Sequence, residues 1–407
     1  MSRRHVQHIL VPKLRFPEFR DDSGWPYVPL DRVAERVTTT NNDESVTRVL
    51  TNSAEHGVLD QRDFFDKDIA NKRNLDAYYV VNHGDYVYNP RISSGAPVGP
   101  ISRNNIGQGV MSPLYTVFRF ERSDTDFYVH YFKSTSWHAY VRSVSSMGAR
   151  HDRMSITNAD FMRMPLPNPQ QDEQRKIADC LGSLDELITA EGRKLATLKD
   201  HKKGLMQRLF PREGETQPRL RFPEFRNEPD WDSKTLVDVC DLKAGDFVRA
   251  SEIAEEWVEG MFPCYGGNGL RGYVATFTHS GRFSLIGRQG ALCGNVNLFE
   301  GKFHATEHAL VVSPKPGFHT DWLYHALVAL NLNRFATGQA QPGLSVTVLN
   351  SVCVAAPLDE CEQQRIARCL SALDARIAAL VEKLEALRTH KHGLMQQLFP
   401  SPEEGEA

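Results

Sequence analysis

Three short patterns in this 407-residue sequence have the residue types and spacing that catalytic sites use. His304-Ala-Thr-Glu307-His308 spells an inverted zinc-protease motif, in which two histidines on one helix face hold the metal. Its flanks, Asn297-Leu-Phe and Ala309-Leu-Val-Val, favour strands, so the helix that would aim both imidazoles at one ion is not expected. Gly267-Asn-Gly269-Leu-Arg-Gly272 has the letters of a dinucleotide fingerprint, which requires a strand before it and a helix after it. The next residues, Tyr273-Val-Ala-Thr-Phe277, read as strand, and a glycine-rich turn is the better account. Pro229-Asp230-Trp-Asp232-Ser-Lys234 holds the letters of a Mg²⁺-dependent nuclease, but within one short stretch rather than on separate strands that clamp a metal. A surface turn is expected there. The sequence has no Gly-x-x-x-x-Gly-Lys-Ser/Thr loop to cradle ATP phosphates and no Asn/Asp-Pro-Pro-Tyr/Phe to hold a flipped base. The chain is therefore expected to be no enzyme, with no catalytic, cofactor or metal site of its own.

The elements that would position any site come from a duplication. LRFPEFR occurs at Leu14 to Arg20 and again, letter for letter, at Leu220 to Arg226, each followed closely by a tryptophan, Trp25 and Trp231. EQRKIADCLGSLDELI from Glu173 pairs with EQQRIARCLSALDARI from Glu362, and GLMQRLFP from Gly204 with GLMQQLFP from Gly393. The spacing between landmarks shrinks along the chain, so the middles have drifted while the ends have not. Two weaker echoes survive: Gly95-Ala-Pro-Val-Gly99 against Gly290-Ala-Leu-Cys-Gly294, and Ser155-Ile-Thr-Asn against Ser345-Val-Thr-Val.

Periodicity supplies the frame. Ile177, Leu181, Leu184, Ile188, Glu191, Leu195, Leu198, Lys202, Leu205 and Leu209 alternate by four and three, and Ile366 through Leu398 repeat the pattern with Lys391 at the place of Lys202. Each stretch predicts a helix of roughly 35 residues and about 50 Å that cannot bury its stripe alone. The simplest solution packs the two against each other, with Pro211 and Pro400 ending them. Between LRFPEFR and each helix lie short Val-, Tyr- and Phe-rich runs broken by glycines, as in AYYVVNHGDYVYN and GRFSLIGRQGALCGNVNLFEGKF, which read as strands and turns. The expected fold is mixed α/β (α+β): globules at 12–165 and 218–356, long helices at 166–211 and 357–400, and a hinge near Arg212 to Gln217.

Composition narrows the class. With 41% hydrophobic residues the chain can build more than one core. No run of about 18 apolar residues occurs and the N-terminal stretch lacks a leader pattern, so a cytoplasmic protein without a membrane span is expected. Seven cysteines without a Cys-x-x-Cys pair point to reduced, mostly buried thiols. The net charge of −3 is silent on nucleic acid, but its distribution is not. Residues 227–259 hold ten acidic and three basic residues, and 260–356 hold three and six. Residues 12–85 hold fourteen and ten, and 86–163 hold five and nine. A polyanion is expected on the later part of each half.

These residues resemble the specificity subunits of Type I restriction-modification systems. The LRFPEFR opening, the Pro-rich step into a Glu-Gln helix (Pro165-Leu-Pro-Asn-Pro to Glu173-Gln; Pro357-Leu to Glu362-Gln) and the GLMQ-x-LFP exit look like the family's conserved regions, from about residue 12 to 400. The resemblance implies two target recognition domains joined by two antiparallel helices, with each domain reading one half of a split DNA site. It also implies two modification subunits that bind S-adenosylmethionine, and restriction subunits that use ATP and Mg²⁺, gathered around a chain that binds neither cofactor. Tyr265-Gly-Gly-Asn268, Leu285-Ile-Gly-Arg288 and Ala305-Thr-Glu-His-Ala309 look typical of such a domain. The first half is more divergent.

Polar turns at matching places are the candidate double-stranded-DNA contacts: Arg91, Ser93 and Ser94 against Arg288 and Gln289, with Tyr265 and Asn268 beside the latter. A second set is Arg150, His151 and Arg153 against Gln339 and Gln341. Arginine can bridge guanine O6/N7 and glutamine adenine N6/N7, while a plain turn or a phosphate contact is the competing account at each position. Because the two middles differ, the target should be asymmetric. A coiled-coil scaffold for other proteins is the rival reading, and it predicts no salt-dependent affinity for duplex DNA. A metalloprotease or nuclease would instead depend on His304, His308 or Asp232.

Overall fold

The computed structural model describes residues 9–64, 75–147, 152–338 and 342–400. The chain divides into two compact units, one of Met1–Ala190 with Leu384–Ala407, the other of Glu191–Lys383. The two heptad stretches are continuous helices, Gln171–Leu209 and Glu360–Leu398, of 39 residues each. Each begins ahead of its apolar stripe, because the Glu-Gln block and its acidic first turn, Asp172 and Glu173 or Glu360 and Glu362, belong to the helix. Among the described residues no helix is long and apolar enough to cross a membrane.

In the first unit, Ala34–Arg36, Thr116–Phe120, Tyr86–Tyr88 and Ile101–Arg103 form a four-stranded sheet in that order. The hairpin of Leu50–Ser53 and Gly57–Asp60 stands beside it, tied by the Asn52 amide to Val87 O at 2.8 Å and Pro100 O at 3.3 Å. Strand Pro165–Pro167 pairs antiparallel with Trp25–Pro29 and leads into the long helix. The core is aromatic: Trp25, Tyr86, Tyr88, Phe118, Phe127 and Phe161 are all buried, and Ile177, Leu181, Met395 and Leu398 of the long helices join them.

The second unit is a six-stranded sheet ordered Cys240–Ala244, Ala309–Pro314, His279–Gly287, Val296–Ala305, Phe262–Gly266, Gly269–Val274. Its pairs are antiparallel except Phe262–Gly266 with Val296–Ala305. Helix Thr320–Ala329 buries Trp322, Leu323 and Leu327 in a core that includes Leu209, Ile366 and Leu370 of the long helices.

The repeated heptapeptide does the same work in both units. Pro17–Phe19 and Pro223–Phe225 each form one 3₁₀ turn, with prolines fixing the first φ. Arg15 makes a two-pronged bond to Glu173 at 2.7 and 2.8 Å, and the Trp25 indole donates to the same carboxylate at 3.0 Å. Arg221 and Trp231 do the same to Glu362, at 2.8, 2.7 and 3.2 Å. Glu18 reaches Lys176 and Glu224 reaches Arg365. Leu14 N donates to Gln397 O, and Leu220 N to Arg208 O. Each copy of LRFPEFR is thus a latch that joins the start of one long helix to the end of the other.

The seam lysines are explained by the helix pairing. In the first unit Lys391 bonds Asp185, and in the second Lys202 bonds Asp374 while Lys383 bonds Glu191. Ile177 and Leu181 share a core with Leu394 and Leu398, as Leu205 and Leu209 do with Ile366 and Leu370, so within each unit the helix segments run antiparallel. None of the predicted seam positions is exposed. Beside each cross-helix pair lies a buried histidine, His130 near Asp185 and His325 near Lys202. Both come from a related Asp-aromatic stretch, Asp126-Phe-Tyr-Val-His130 and Asp321-Trp-Leu-Tyr-His325.

Two expectations need correction. Only Cys240, Cys264 and Cys293 are buried; Cys353 and Cys361 are exposed and Cys180 and Cys369 half-buried, because a helix flank or strand edge shows such small side chains to solvent. The serine echo slips by two residues. The matching helix caps are Thr157, accepting from Asp160 N, and Ser345, accepting from Val348 N, because capping and not letter identity fixes the register.

Candidate nucleic-acid interface

In the second unit three backbone segments meet because glycines let them. A Cβ at Gly267 would lie 2.6 Å from Gly287 Cα and 2.7 Å from His308 O, and one at Gly245 would lie 2.2 Å from Ala305 O. The contacts are closed by Arg288 N donating to His308 O, Thr306 N to Tyr265 O and Asp246 N to Ala305 O. The 288–294 loop is then pinned from the other side, where Gly290 N donates to Pro342 O and Leu344 N to Arg288 O. Gln289 pairs across this bridge with Gly343.

The candidate residues fall on this cluster. Arg288 is half-buried and Gln289 exposed, and neither side chain has a polar partner among the described residues. Asn268 is exposed at the Phe262–Val274 hairpin tip, where its amide nitrogen can donate to Gly267 O at 3.3 Å and Leu292 O at 3.2 Å. Tyr265 stacks on Phe299 with ring centres 3.7 Å apart, so one ring face is spent on packing. Gln339 and Gln341 lie outside the described residues; their flanks, Thr337 and Gly343, bond each other in both directions.

The first unit repeats the bridge. Ile92 N donates to Asp152 O and Met154 N to Pro90 O, which sets Arg91 opposite Arg153 in an antiparallel pair. Gly99 and Gly294, the ends of the glycine echo, both adopt positive φ, +84° and +87°, each against foreign backbone that a Cβ would strike. Arg91, Ser93 and Ser94 are exposed and Arg153 half-buried, and all four line one cleft of about 770 Å³. Arg150 and His151 lie outside the described residues. The cleft also gathers Thr51, Asn52, Ser53, Gln61, Ser112 and Tyr115, which the sequence reading missed. They come from three separated segments with no shared period, so only the pairing of Leu50–Ser53 with Gly57–Asp60 beside the sheet could reveal them.

The catalytic look-alikes resolve as structure. His304 is buried at a strand end with Nε2 3.2 Å from Asp246 O, while His308 is half-buried beside Glu307 at 3.2 Å. Gly267-Asn-Gly269 is a hairpin tip. Asp232 opens a strand paired with Cys353–Ala356, which corrects the turn expected there, and Asp230 accepts from Gln217. Trp231 is buried and sets the residues after it on the edge of that two-stranded ladder. Among the described residues no group of three or more His, Cys, Asp or Glu could hold a metal ion.

Residues 228–388 match the family described as the Type I restriction modification DNA specificity domain. The chain is 44% identical over 164 residues to the Type I restriction enzyme EcoprrI specificity subunit of Escherichia coli, covering 40% of each chain. It is 30% identical over 100 residues to the Type I restriction enzyme MjaVIII specificity subunit of Methanocaldococcus jannaschii, 24% of each. The chain thus spans less than half the length of these curated relatives. Among solved structures it resembles the Type-I restriction-modification system S subunit from M. genitalium over 96% of this chain and all of that one, with a TM-score of 0.65 at 16% identity. A chain from a study of complex assembly and conformational transition of the type I R-M system aligns over 92% of this chain and 97% of its own, with a TM-score of 0.54 at 18% identity. Likeness at these identities speaks for the fold, a mixed α/β chain with two long helices.

Proposed function

We infer that this chain, a relative of the Type I restriction-modification specificity subunits with their DNA specificity domain at 228–388, reads DNA sequence for such a complex and is not itself a catalyst. Each unit reads one half of a split, asymmetric duplex target. The observation that carries this reading is the contrast between what the duplication kept and what it changed. Both units keep the Arg–Glu–Trp latch and the loop bridge, yet the bridge presents Arg91 opposite Arg153 in one and Gln289 opposite Gly343 in the other. One frame carrying two different polar surfaces fits two different half-sites.

The long helices set the spacer between half-sites and offer a docking surface to two modification subunits, which bring S-adenosylmethionine. Restriction subunits bring ATP and Mg²⁺. Linking two weak readers raises the effective concentration of the second contact, so only half-sites at the permitted spacing gain full affinity. The chain works where the chromosome is, in the cytoplasm. Methylome sequencing of cells expressing the chain with its modification subunit tests the reading. A new split, asymmetric methylated motif that disappears without this chain is the expected result; an assembled complex that adds no motif would favour the coiled-coil scaffold.

A further inference from the structure

We propose that the first unit's cleft is a phosphate-clamped reading pocket, in which Arg91 and Arg153 hold the DNA backbone while Gln61 and the Thr51–Tyr115 pair read a base edge. This rests on the DNA-reading function above. The first observation is the arginine pair itself. Like charges directly opposite in an antiparallel bridge repel, so the pair is unfavourable unless an anion lies between them. Arg91 has no acidic partner among the described residues, and Arg153 has only its neighbour Asp152 at 3.9 Å. The second unit places uncharged Gln289 and Gly343 at this position, so the bridge does not need arginines to form.

The second observation is the wall. Asn52 is 2% exposed, its amide nitrogen fixed to Val87 O and Pro100 O, while Asn89 donates to Asn52 O and accepts from Arg91 N. These bonds lock the cleft wall before anything binds. Asn52 Oδ1 is left buried without a partner among the described residues. Thr51 and Tyr115 hydroxyls lie 3.1 Å apart, so one of their two protons is used between them and the other is free to donate. The Gln61 amide has no partner among the described residues and carries both a donor and an acceptor, the pattern that matches adenine N6/N7. Glu55 is the cleft's one carboxylate among the described lining. A neutral donor–acceptor wall under a cationic rim suits a nucleic acid better than an apolar or a cationic ligand.

Clamp and reader make separable predictions for the complete complex. Arg91→Gln and Arg153→Gln should each lower the salt slope of duplex binding by about one and leave the methylated motif unchanged, while Arg91→Lys keeps the slope. Gln61→Ala should keep the slope and relax one position in one half of the motif, with discrimination there falling roughly 10- to 100-fold. A wild-type complex that yields no split motif would remove the function itself. A wild-type motif and slope that survive Arg91→Gln, Arg153→Gln and Gln61→Ala unchanged would remove this cleft assignment alone.

Discussion

At Glu362 a single carboxylate satisfies a guanidinium fork and an indole while almost wholly out of water. Removing one member of such a pair leaves an uncompensated buried charge, whereas replacing both with apolar groups can be nearly neutral. Glu362→Gln should therefore destabilise the fold by about 3–5 kcal/mol in denaturant titration, and the Arg221→Met/Glu362→Met double variant should recover most of it. His130 makes a second residue-scale prediction. Burial first, and then the charges of Lys391 and Lys133, push its pKa down to about 4 against the pull of Asp185 and Asp126. Its folded pKa lies below the ordinary value of 6.5, so the unfolded chain binds more protons between the two. Stability is full above about pH 6.5 and falls by roughly 3 kcal/mol as the pH drops towards 4. His325, pushed down to about 3 by burial and Lys202, acts in the same direction. The urea midpoint of His130→Gln should change less than that of the wild type between pH 7 and pH 5; an equal change would show that His130 is not held neutral by the fold.

Helices place charged groups on an apolar seam only at a cost, and here both lysines meet an aspartate across the pair. In Asp185 burial opposes ionisation, but the Lys391 hydrogen bond and the charges of Lys133 and Lys391 outweigh it and hold the carboxyl below its ordinary value. Lys391 in turn is lowered by burial despite Asp185. An ion pair of this kind adds little net stability but penalises every other register of two helices whose remaining seam is nearly all leucine and isoleucine. Exchanging Lys202→Asp with Asp374→Lys should restore stability lost in either single variant, with a coupling of about 1 kcal/mol or more in a double-mutant cycle. Additive losses would mean that the two groups do not sense each other.

For the whole chain, the kept frame and changed loops argue for modular reading. Transplanting 227–355 from a homologue of different specificity should change one half of the methylated motif and leave the other intact. Both halves changing together would contradict modularity. Inserting one helical turn after Leu195 should alter the spacer with both half-sites still readable, measured by the same methylome assay.

The duplication, the two long helices and their seam residues were legible in the sequence, because they rest on local repetition and on a period that one chain segment carries by itself. The strands on either side of His304 were legible for the same reason, whereas the strand expected at 273–277 lies earlier, at Gly269–Val274, because its pairing with Phe262–Gly266 sets its ends. The role of Arg15 and Glu173, the partner of each seam lysine, and the meeting of Thr51 and Gln61 with Arg91 and Arg153 were not. Each joins residues far apart in the chain, and that proximity exists only after the sheet register and helix packing are set. Sequence determined which elements form and that two halves share one frame; tertiary structure decided which side chains face a common space, since contact depends on pairing between segments that no local pattern encodes.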